Sequence, residues 1–348
     1  HRPHLYANTY KVGWDGNAEE YKTYLEKTFK ETKVPVEVVD DDGPIIEPTF
    51  KAWWGVPDMP KINFKNDGAR QWALDVTEHW IKNFDIDGWR MDVAKELDFS
   101  FWKDFRDVAY SAKKDILLIS EIFGDTSQWL QGERFDGTMN YSFRETMTDY
   151  FATKRIDNKE FANSLANLYS MYSFEALSSC QNLLSSHDVK RFLNRCGANT
   201  DGMFGAIFLQ ATFPGIAGIY YGDEIGLGGA DDPFNREPFP WESEDKWNKD
   251  LLKFTSELMN IKTSQPILRY GNFEMVTYDD NYVIFRRVLN DESLLCIVNR
   301  DLNNKDIELN TNAHSVDMVY GDCSIELDSG KLKITDIADN FGLIIKES

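Results

Sequence analysis

Residues 87–94, which read Asp-Gly-Trp-Arg-Met-Asp-Val-Ala, decide the fold class of this 348-residue chain. Arg90 and Asp92 lie two positions apart at the end of a predicted strand, so their side chains point to the same face of it. Two later apolar runs also end in an acid, one at Glu121 and the other at Asp188. Buried parallel strands are continuous apolar runs, and in a barrel of such strands the functional side chains lie at the carboxyl ends. The sequence therefore predicts an α/β protein that presents carboxylates at one end of its parallel strands.

Three kinds of sequence pattern divide the chain, and the first is an amphipathic stretch around residues 19–32 with an acidic, Pro-interrupted stretch up to Pro60. Over residues 65–224 short apolar runs alternate with amphipathic stretches, which is typical of strand–helix units in a parallel sheet. From residue 269 onward β-branched and aromatic runs are separated by turn residues, which predicts an antiparallel β-sandwich. The predicted domains are a separate N-terminal segment over residues 1–64, a barrel over residues 65–268 and a C-terminal β-sandwich over residues 269–348. The predicted barrel strands are residues 85–92, 116–122, 135–141, 182–187 and 217–223.

Composition excludes several classes of protein. The chain has 38 Lys and Arg against 58 Asp and Glu, and its formal net charge of −20 excludes a nucleic-acid partner, which needs clustered cations. No apolar run approaches the ~20 residues that cross a bilayer, so no membrane partner is expected. The four cysteines form neither a disulfide framework nor a metal-ligand pattern. We therefore name no metal ligand and expect a reduced, cytoplasmic setting, with a secreted or periplasmic location left open.

Each acid at a strand end has two interpretations, one structural and one catalytic. Arg90 next to Asp92 would keep this carboxylate ionised, as a nucleophile requires. The alternative is that Arg90 and Asp92 form a buried structural ion pair. Glu121 at the end of an apolar strand suits a general acid, or else a cap for the next helix. His187 and Asp188 suit hydrogen bonding and capping when each is considered alone. Their convergence at strand ends favours glycoside hydrolysis, which needs two carboxyl groups around an oxocarbenium-like transition state. Phosphate loops, serine nucleophile elbows and zinc-protease histidine pairs are not found.

The segments that carry these acids resemble the motifs of the α-amylase superfamily of glycoside hydrolases, in the same order. Residues 88–92 resemble the segment at the fourth barrel strand, Glu121 the fifth, residues 186–188 the seventh and residues 219–226 the eighth. Residues 59–63, Met-Pro-Lys-Ile-Asn, resemble the marker of the neopullulanase, cyclomaltodextrinase and maltogenic-amylase group, with Ile in place of its usual Leu. The resemblance implies a (β/α)8 TIM barrel in which strands four to eight are recognisable.

The resemblance also implies a role for each site residue. Asp92 would attack the anomeric carbon, Glu121 would protonate the leaving oxygen and then activate water, and Asp188 would bind sugar hydroxyls in the transition state. Six further residues would bind sugar: Arg90 and His187 beside the carboxylates, Asp232 and Arg236 on the non-reducing side, and Glu96 and Phe123 on the leaving-group side. Phe123 stands where the group usually has Trp, which keeps a stacking face without the indole donor. Substrate preference and acceptor handling therefore stay open.

The first three barrel units are not recognisable in the sequence. The family motif at the third strand ends in Asn-His, and neither His1 nor His4 is preceded by anything like it. Five barrel strands can be placed, whereas a closed barrel of this kind has eight. Since the chain starts at His1 rather than Met, we interpret it as N-terminally truncated inside a larger enzyme, with residues 1–64 as the excursion that follows the third strand.

We expect a retaining glycosidase that cleaves α-1,4-glucosidic bonds in cyclodextrins, pullulan, starch or malto-oligosaccharides. The alternatives are an α-1,6-glucosidase or glucan transferase of the same superfamily, a non-catalytic sugar-binding member, and a fragment that binds sugar but is inactive without the missing barrel part. This chemistry requires no cofactor, and calcium is a candidate because many relatives carry it and oxygen ligands are plentiful. The expected partners are an α-glucan oligosaccharide or polysaccharide and either a second copy in a homodimer or a companion N-terminal fragment.

Overall fold

The computed structural model describes residues 51–53, 56, 59–300, 305–338 and 341–348. The chain separates into two compact units, which are described in turn. The first contains the described residues up to Asp87 together with Leu97–Ile116, and the second contains Gly88–Glu96 and Leu117–Ser348. Most of the predicted excursion over residues 1–64 lies outside the described residues, so that domain boundary stays a prediction.

Two packed helices form the described part of the first unit. Helix α1, Asp67–Phe84, begins at Asn66, whose side chain accepts a hydrogen bond from the backbone of Ala69. Helix α2, Phe99–Ala112, buries an aromatic face and packs against α1. An ion pair of 2.7 Å between Arg70 and Asp104 joins the two helices. These are the helices that the apolar spacing of the sequence predicts.

The second unit contains five short parallel strands. Strands β1, Gly88–Met91, β2, Leu117–Ser120, and β3, Gly137–Thr138, pair in that order, and β4, Gln181–Leu183, pairs with β5, Ile216–Gly218. A parallel bridge between Met139 and Gln181 continues the order from β3 to β4. All five predicted strands are present and parallel, but each is shorter than predicted. Pairing ends early because the segments beyond the strands turn away, as in the turn that leads from Gly218 to the 3-10 helix Asp223–Ile225.

Short helices connect these strands. Their bounds are α3 Tyr141–Met147, continued by a π-helical turn at Thr148–Ala152, then α4 Asn158–Ser170, α5 Phe174–Ser179, α6 Phe192–Arg195, α7 Asp201–Thr212, α8 Lys249–Ser264 and α9 Pro266–Tyr270. Asn140 caps α3 by accepting from the backbone of Phe143, and its amide donates to Asn182 at 2.9 Å. Asn140, the second residue after β3, is thereby fixed to β4. Helix α7 is buried on nearly all sides and so belongs to the core.

The C-terminal part of the second unit is an antiparallel β-sandwich. Its strands are β6 Asn272–Tyr278, β7 Val283–Leu289, β8 Glu292–Val298, β9 Ile307–Asn310, β10 Val316–Tyr320, β11 Ser324–Asp328, β12 Lys331–Thr335 and β13 Gly342–Glu347. One sheet has the order β10-β13-β8-β7-β6 and the other has the order β11-β12-β9. Ile284 and Leu295 from the first sheet pack with Leu332 and Ile334 from the second to form the core. The predicted antiparallel β-sandwich is present, but its first strand begins at Asn272 after helix α9, and the domain boundary at residue 269 stays a prediction.

Two sequence-based expectations concern membranes and cysteines. Among the residues that the structure describes, no helix is both long enough and apolar enough to cross a membrane. The four cysteines, Cys180, Cys196, Cys296 and Cys323, are free thiols in the structure. Burial raises the pKa of the Cys180 and Cys296 thiols to about 12, so neither is an activated nucleophile.

Candidate active site

The carboxyl ends of β1 and β2 place two carboxylates side by side. In the parallel register of these strands Met91 lies opposite Ser120. The backbone N–H of Glu121 extends the ladder by donating to the carbonyl of Met91 at 2.8 Å. Asp92 and Glu121 are therefore the first residues beyond the paired part of each strand. This register agrees with the predicted placement of acids at neighbouring strand ends.

Arg90 joins these two carboxylates. Its Nη1 donates to Oδ1 of Asp92 at 2.5 Å, and its Nη2 lies 3.8 Å from Oε1 of Glu121. Its Nε donates to the sulfur of Met139 at 3.3 Å, so all three guanidinium nitrogens are engaged. A guanidinium can bridge in this way because its donors are fixed in one plane. Asp92 keeps 70% of its side chain exposed, so it is held by Arg90 and still open to a ligand.

Glu121 is buried and is fixed by the turn that follows β1. Its side chain is only 7% exposed, and its Oε2 accepts a hydrogen bond of 2.8 Å from the backbone N–H of Val93. Val93 has a φ of 46°, a left-handed conformation that is strained for a β-branched residue. The strained turn thus supplies the donor that fixes one oxygen of Glu121, while the other oxygen lies towards Arg90.

The third carboxylate lies on a tight turn that follows β4. The backbone N–H of Val189 donates to the carbonyl of Ser186 at 3.4 Å and closes the turn. The hydroxyl of Ser186 accepts from the backbone N–H of Asp188 at 3.1 Å. Nε2 of His187 lies 3.1 Å from Oδ2 of Asp188. The turn therefore holds this carboxylate against an imidazole, with 20% of the Asp188 side chain exposed.

A second arginine connects Asp188 to a later loop. Arg236 Nε donates to the carbonyl of His187 at 2.9 Å and lies 3.2 Å from Oδ1 of Asp232. Arg236 Nη2 lies 3.8 Å from Oδ1 of Asp188. The structure thus brings the predicted sugar-binding residues Asp232 and Arg236 together with Asp188 and His187.

Tyr141 is a site residue that the sequence analysis did not assign. Its hydroxyl lies 3.3 Å from the hydroxyl of Ser186. Burial raises the pKa of the Tyr141 phenol to about 12, the hydrogen bond with Ser186 opposes this rise, and the charges of Glu121 and Asp188 add to it. The phenol is therefore protonated at neutral pH and lies within electrostatic range of both carboxylates. The signal available in the sequence was its position just beyond β3, where other parallel strands carry functional side chains.

The two residues predicted on the leaving-group side have different local settings. The ring of Phe123 stacks on Tyr141, with 3.7 Å between the ring centroids and 17° between the planes. Phe123 is 43% exposed, so one aromatic face near the carboxylates is available to a sugar ring. Glu96 ends the 3-10 helix Ala94–Glu96 that follows Asp92, and its contact with sugar stays a prediction.

Calcium binding stays a prediction. In the part of the chain that the structure describes, no three His, Cys, Asp or Glu side chains come together as a metal site would require. The acids of the candidate site instead face Arg90, His187 and Arg236. These residues do not fit a divalent cation, and no chemical step below uses one.

Comparisons with known proteins agree with this arrangement. The α-amylase catalytic domain family matches residues 49–266. The chain is 36% identical over 255 residues to a cyclomaltodextrinase of Geobacillus thermopakistaniensis, and 39% identical over 246 residues to neopullulanase 2 of Thermoactinomyces vulgaris. Among solved structures, the debranching enzyme of Nostoc punctiforme superposes with a TM-score of 0.81 at 27% identity.

These matches cover different shares of each protein. The two sequence relatives match 73% and 70% of this chain, but only 43% and 42% of their own lengths. The Nostoc punctiforme structure matches 93% of this chain and 73% of its own. The chain therefore spans less than half the length of the two sequence relatives.

Proposed function

The chain belongs to the α-amylase catalytic-domain family, and we propose that it is a retaining glycosidase that cleaves α-1,4-glucosidic bonds of cyclodextrins, pullulan, starch or malto-oligosaccharides. The observation that carries this proposal is the pairing of an exposed and a buried carboxyl group, Asp92 and Glu121, across one guanidinium. Glycoside hydrolysis needs two carboxyl groups in different environments around the scissile bond. Relatives named cyclomaltodextrinase and neopullulanase support the substrate class.

The first proposed step forms a covalent glycosyl-enzyme. An oxygen of Asp92 bonds to the anomeric carbon while the bond from that carbon to the glycosidic oxygen breaks, and the departing oxygen takes the proton of Glu121. The 70% exposure of Asp92 supports its role as the attacking group, because the anomeric carbon must reach it. Arg90 keeps Asp92 oriented before the attack, since its Nη1 donates to the same carboxylate.

The second proposed step releases the sugar. Water attacks the anomeric carbon and gives a proton to the Glu121 carboxylate, and the bond to Asp92 breaks. Two displacements at one carbon retain its configuration. The backbone N–H of Val93 fixes Oε2 of Glu121, and we assign the proton transfers in both steps to Oε1. Asp188 binds sugar hydroxyls more strongly in the distorted transition state than in the ground state, with Arg236 and His187 holding it in place.

An α-1,6-glucosidase is the second candidate. Of two solved structures with a TM-score of 0.81, one is named a debranching enzyme, which favours this bond specificity, and the other is named a cyclomaltodextrinase. The segment at residues 59–63 favours the α-1,4 assignment instead, since it resembles the marker of the neopullulanase group. Transfer to a sugar acceptor belongs to the same chemistry, because a sugar hydroxyl can replace water in the second step.

We further propose that full activity needs additional strands from a second copy or a companion fragment. Within the described residues, β1 and β5 each have a strand neighbour on one edge only. A closed parallel barrel leaves no such edges. The chain also covers less than half of its cyclomaltodextrinase relative. Binding of acarbose without turnover would support this proposal.

The test uses β-cyclodextrin, pullulan and starch with the purified chain, to which the companion fragment is added if the chain alone binds acarbose without turnover. Expected products are malto-oligosaccharides whose newly formed reducing ends have the α configuration in proton NMR. The Asp92→Asn variant should lose at least about 1000-fold in kcat, because the nucleophile is gone. The matched control is Asp87→Asn, which makes the same change five positions earlier at a side chain that is 98% exposed and pairs with Lys113. Products of β configuration, or full activity of Asp92→Asn, would contradict the proposal.

A further inference from the structure

Asn235 is a fully buried polar residue between the sugar-binding candidates Asp232 and Arg236. It is the middle residue of the 3-10 helix Phe234–Arg236. Gly229 lets the chain pass close behind it, because a Cβ at Gly229 would lie 2.9 Å from the Cα of Asn235. Since no part of Asn235 is exposed, it cannot touch a substrate, and any effect on the site must pass through its neighbours.

The amide nitrogen of Asn235 faces the turn at residues 186–189. Nδ2 donates to the carbonyls of His187 at 2.8 Å, Val189 at 3.0 Å and Ser186 at 3.3 Å. Carbonyl oxygens only accept hydrogen bonds, so the nitrogen rather than the oxygen of the amide must face them. One side chain therefore contacts three of the four carbonyls in the turn that carries Asp188.

The oxygen of the same amide has no hydrogen-bond partner. Oδ1 of Asn235 is buried and unpaired among the described residues. An unpaired buried acceptor costs free energy, and an apolar residue of similar size would avoid that cost. The hydrogen bonds donated by the amide nitrogen therefore account for an Asn at this position better than packing does.

The turn is also tied to the residue after Asn235. The carbonyl of His187 accepts from Asn235 Nδ2 and from Arg236 Nε, at 2.8 Å and 2.9 Å. Arg236 also contacts Asp188 and Asp232 through their carboxylates. The turn that carries Asp188 is therefore held by two neighbouring residues of one loop.

We propose that Asn235 is a positioning residue that holds the turn at residues 186–189 and thereby places Asp188 for the transition state. This inference rests on the proposed function, in which Asp188 binds sugar hydroxyls more tightly as the ring distorts. Loss of the amide donors lets the turn relax, so that Asp188 loses its alignment while the exposed sugar-contacting surfaces remain. The effect falls on transition-state binding more than on ground-state binding.

The experiment compares Asn235→Asp with Asn158→Asp in the full chain. Asn158 is a matched buried amide away from the carboxylates: it donates to the carbonyl of Asp279 at 2.7 Å and accepts from Tyr150. We expect Asn235→Asp to lower kcat/KM on β-cyclodextrin about 10- to 100-fold, as small misplacements of catalytic groups do. Asn158→Asp should lower Tm but leave kcat/KM within about twofold.

Two further readouts separate positioning from general loss of folding. In the Asp92→Asn background, Asn235→Asp should weaken acarbose binding at least about tenfold and maltotriose binding less than about threefold, because a transition-state-like ligand depends more on Asp188. The Asn235→Asp variant should also recover part of its activity at acidic pH, because its protonated carboxyl can donate one hydrogen bond to the turn. If this variant does not fold, Asn235→Ser keeps one donor and is used for the same comparison.

Each outcome decides between the hypotheses. Unchanged kcat/KM and acarbose affinity in Asn235→Asp would overturn the inference, since the turn would then hold without the amide. Equal losses for acarbose and maltotriose, matched by those of Asn158→Asp, would overturn it in favour of a general structural role. If the wild-type chain neither cleaves β-cyclodextrin nor binds acarbose, the proposed function fails and the inference fails with it.

Discussion

Lys262 is a buried residue of helix α8 whose amine lies at the carboxyl end of α7. Its Nζ donates to the carbonyls of Ala211 and Phe213 at 3.1 Å and 3.3 Å, and Arg287 donates to the neighbouring carbonyl of Thr212 at 2.6 Å. Such carbonyls have no partner within the helix, so the two cations satisfy acceptors that would otherwise be buried and unpaired. Burial lowers the pKa of Lys262 to about 7, and the charge of Arg287 contributes to the decrease. The Lys262→Met variant removes this charge and keeps an unbranched side chain.

The sign of the effect follows from proton binding. The pKa of Lys262 is about 7 in the folded protein and 10.5 as its ordinary value, so between these pH values the unfolded chain holds a proton that the folded chain lacks. The free energy of unfolding therefore rises with pH across this window. At 1.36 kcal/mol per pH unit, wild type gains about 3 kcal/mol between pH 7 and about pH 9.5 from this group. Lys262→Met cannot make that gain.

The assay is urea unfolding of wild type and Lys262→Met at about pH 6 and about pH 9.5. We expect the stability of the variant relative to wild type to be about 3 kcal/mol more favourable at the lower pH, because the protonated lysine is then a buried charge. The comparison cancels other titrating groups that both proteins share. Lys253→Met is the control, since Lys253 lies on the same helix with 76% of its side chain exposed. An equal stability difference at both pH values would refute the reasoning, because Lys262 would then be protonated equally in both states.

Two other substitutions test the site and its support. Tyr141→Phe should lower kcat/KM about 3- to 10-fold and leave Tm nearly unchanged, because it removes one neutral hydrogen bond to Ser186 and keeps the ring stacked on Phe123; a loss above about 100-fold would instead mean direct action of the hydroxyl on substrate. Burial raises the pKa of Asp223 to about 7 in spite of its contacts with Ser185 and Arg191, so the folded protein holds this proton more tightly than the unfolded chain and stability falls as pH rises from about 4 to about 7. The stability of Asp223→Asn relative to wild type should therefore increase over that range in urea unfolding, and a constant difference would contradict the assignment.

The parts of the fold that the sequence predicted depend on local patterns. The apolar runs before Asp92, Glu121 and Asp188 predict buried strands, and the parallel register of β1 and β2 places the first two acids together. The alternation of apolar and turn residues after residue 269 predicts the two-sheet sandwich. These patterns predict the structure correctly because the spacing of apolar residues along one segment indicates whether the segment is buried on one face or on both.

The predicted strand ends were wrong for a reason that spacing does not reveal. The strand predicted over residues 217–223 ends at Gly218, and the apolar and aromatic residues that follow form a turn into a 3-10 helix. Tyr220 and Tyr221 lie against the guanidinium of Arg191 in this turn. Their β-forming side chains thus pack around a buried cation instead of extending the strand, which is a tertiary effect that overrides local propensity.

Asn235 could not be found by the same reasoning, and Tyr141 only by its position just beyond β3, because the importance of both residues comes from contacts between distant segments. The Tyr141 hydroxyl meets Ser186, 45 positions further along the chain. The Asn235 amide meets carbonyls 46 to 49 positions earlier. The hydrogen-bond partners of Tyr141 and Asn235 include no acid and follow no repeated spacing. Motifs of catalytic carboxylates therefore do not indicate these contacts.

The charges of the candidate site fit an uncharged ligand that becomes positive during reaction. Arg90 forms ion pairs with Asp92 and Glu121, and Arg236 forms ion pairs with Asp188 and Asp232. Each arginine faces two carboxyl groups, but Glu121 is protonated before the first proposed step, so the surplus of negative charge at that stage lies in the half with Asp188, Asp232 and Arg236. A neutral sugar needs no opposite charge to bind, whereas an oxocarbenium-like transition state gains from the surplus of negative charge. The same surplus would oppose an anionic substrate, which is an independent reason to place the chemistry at a glycosidic bond.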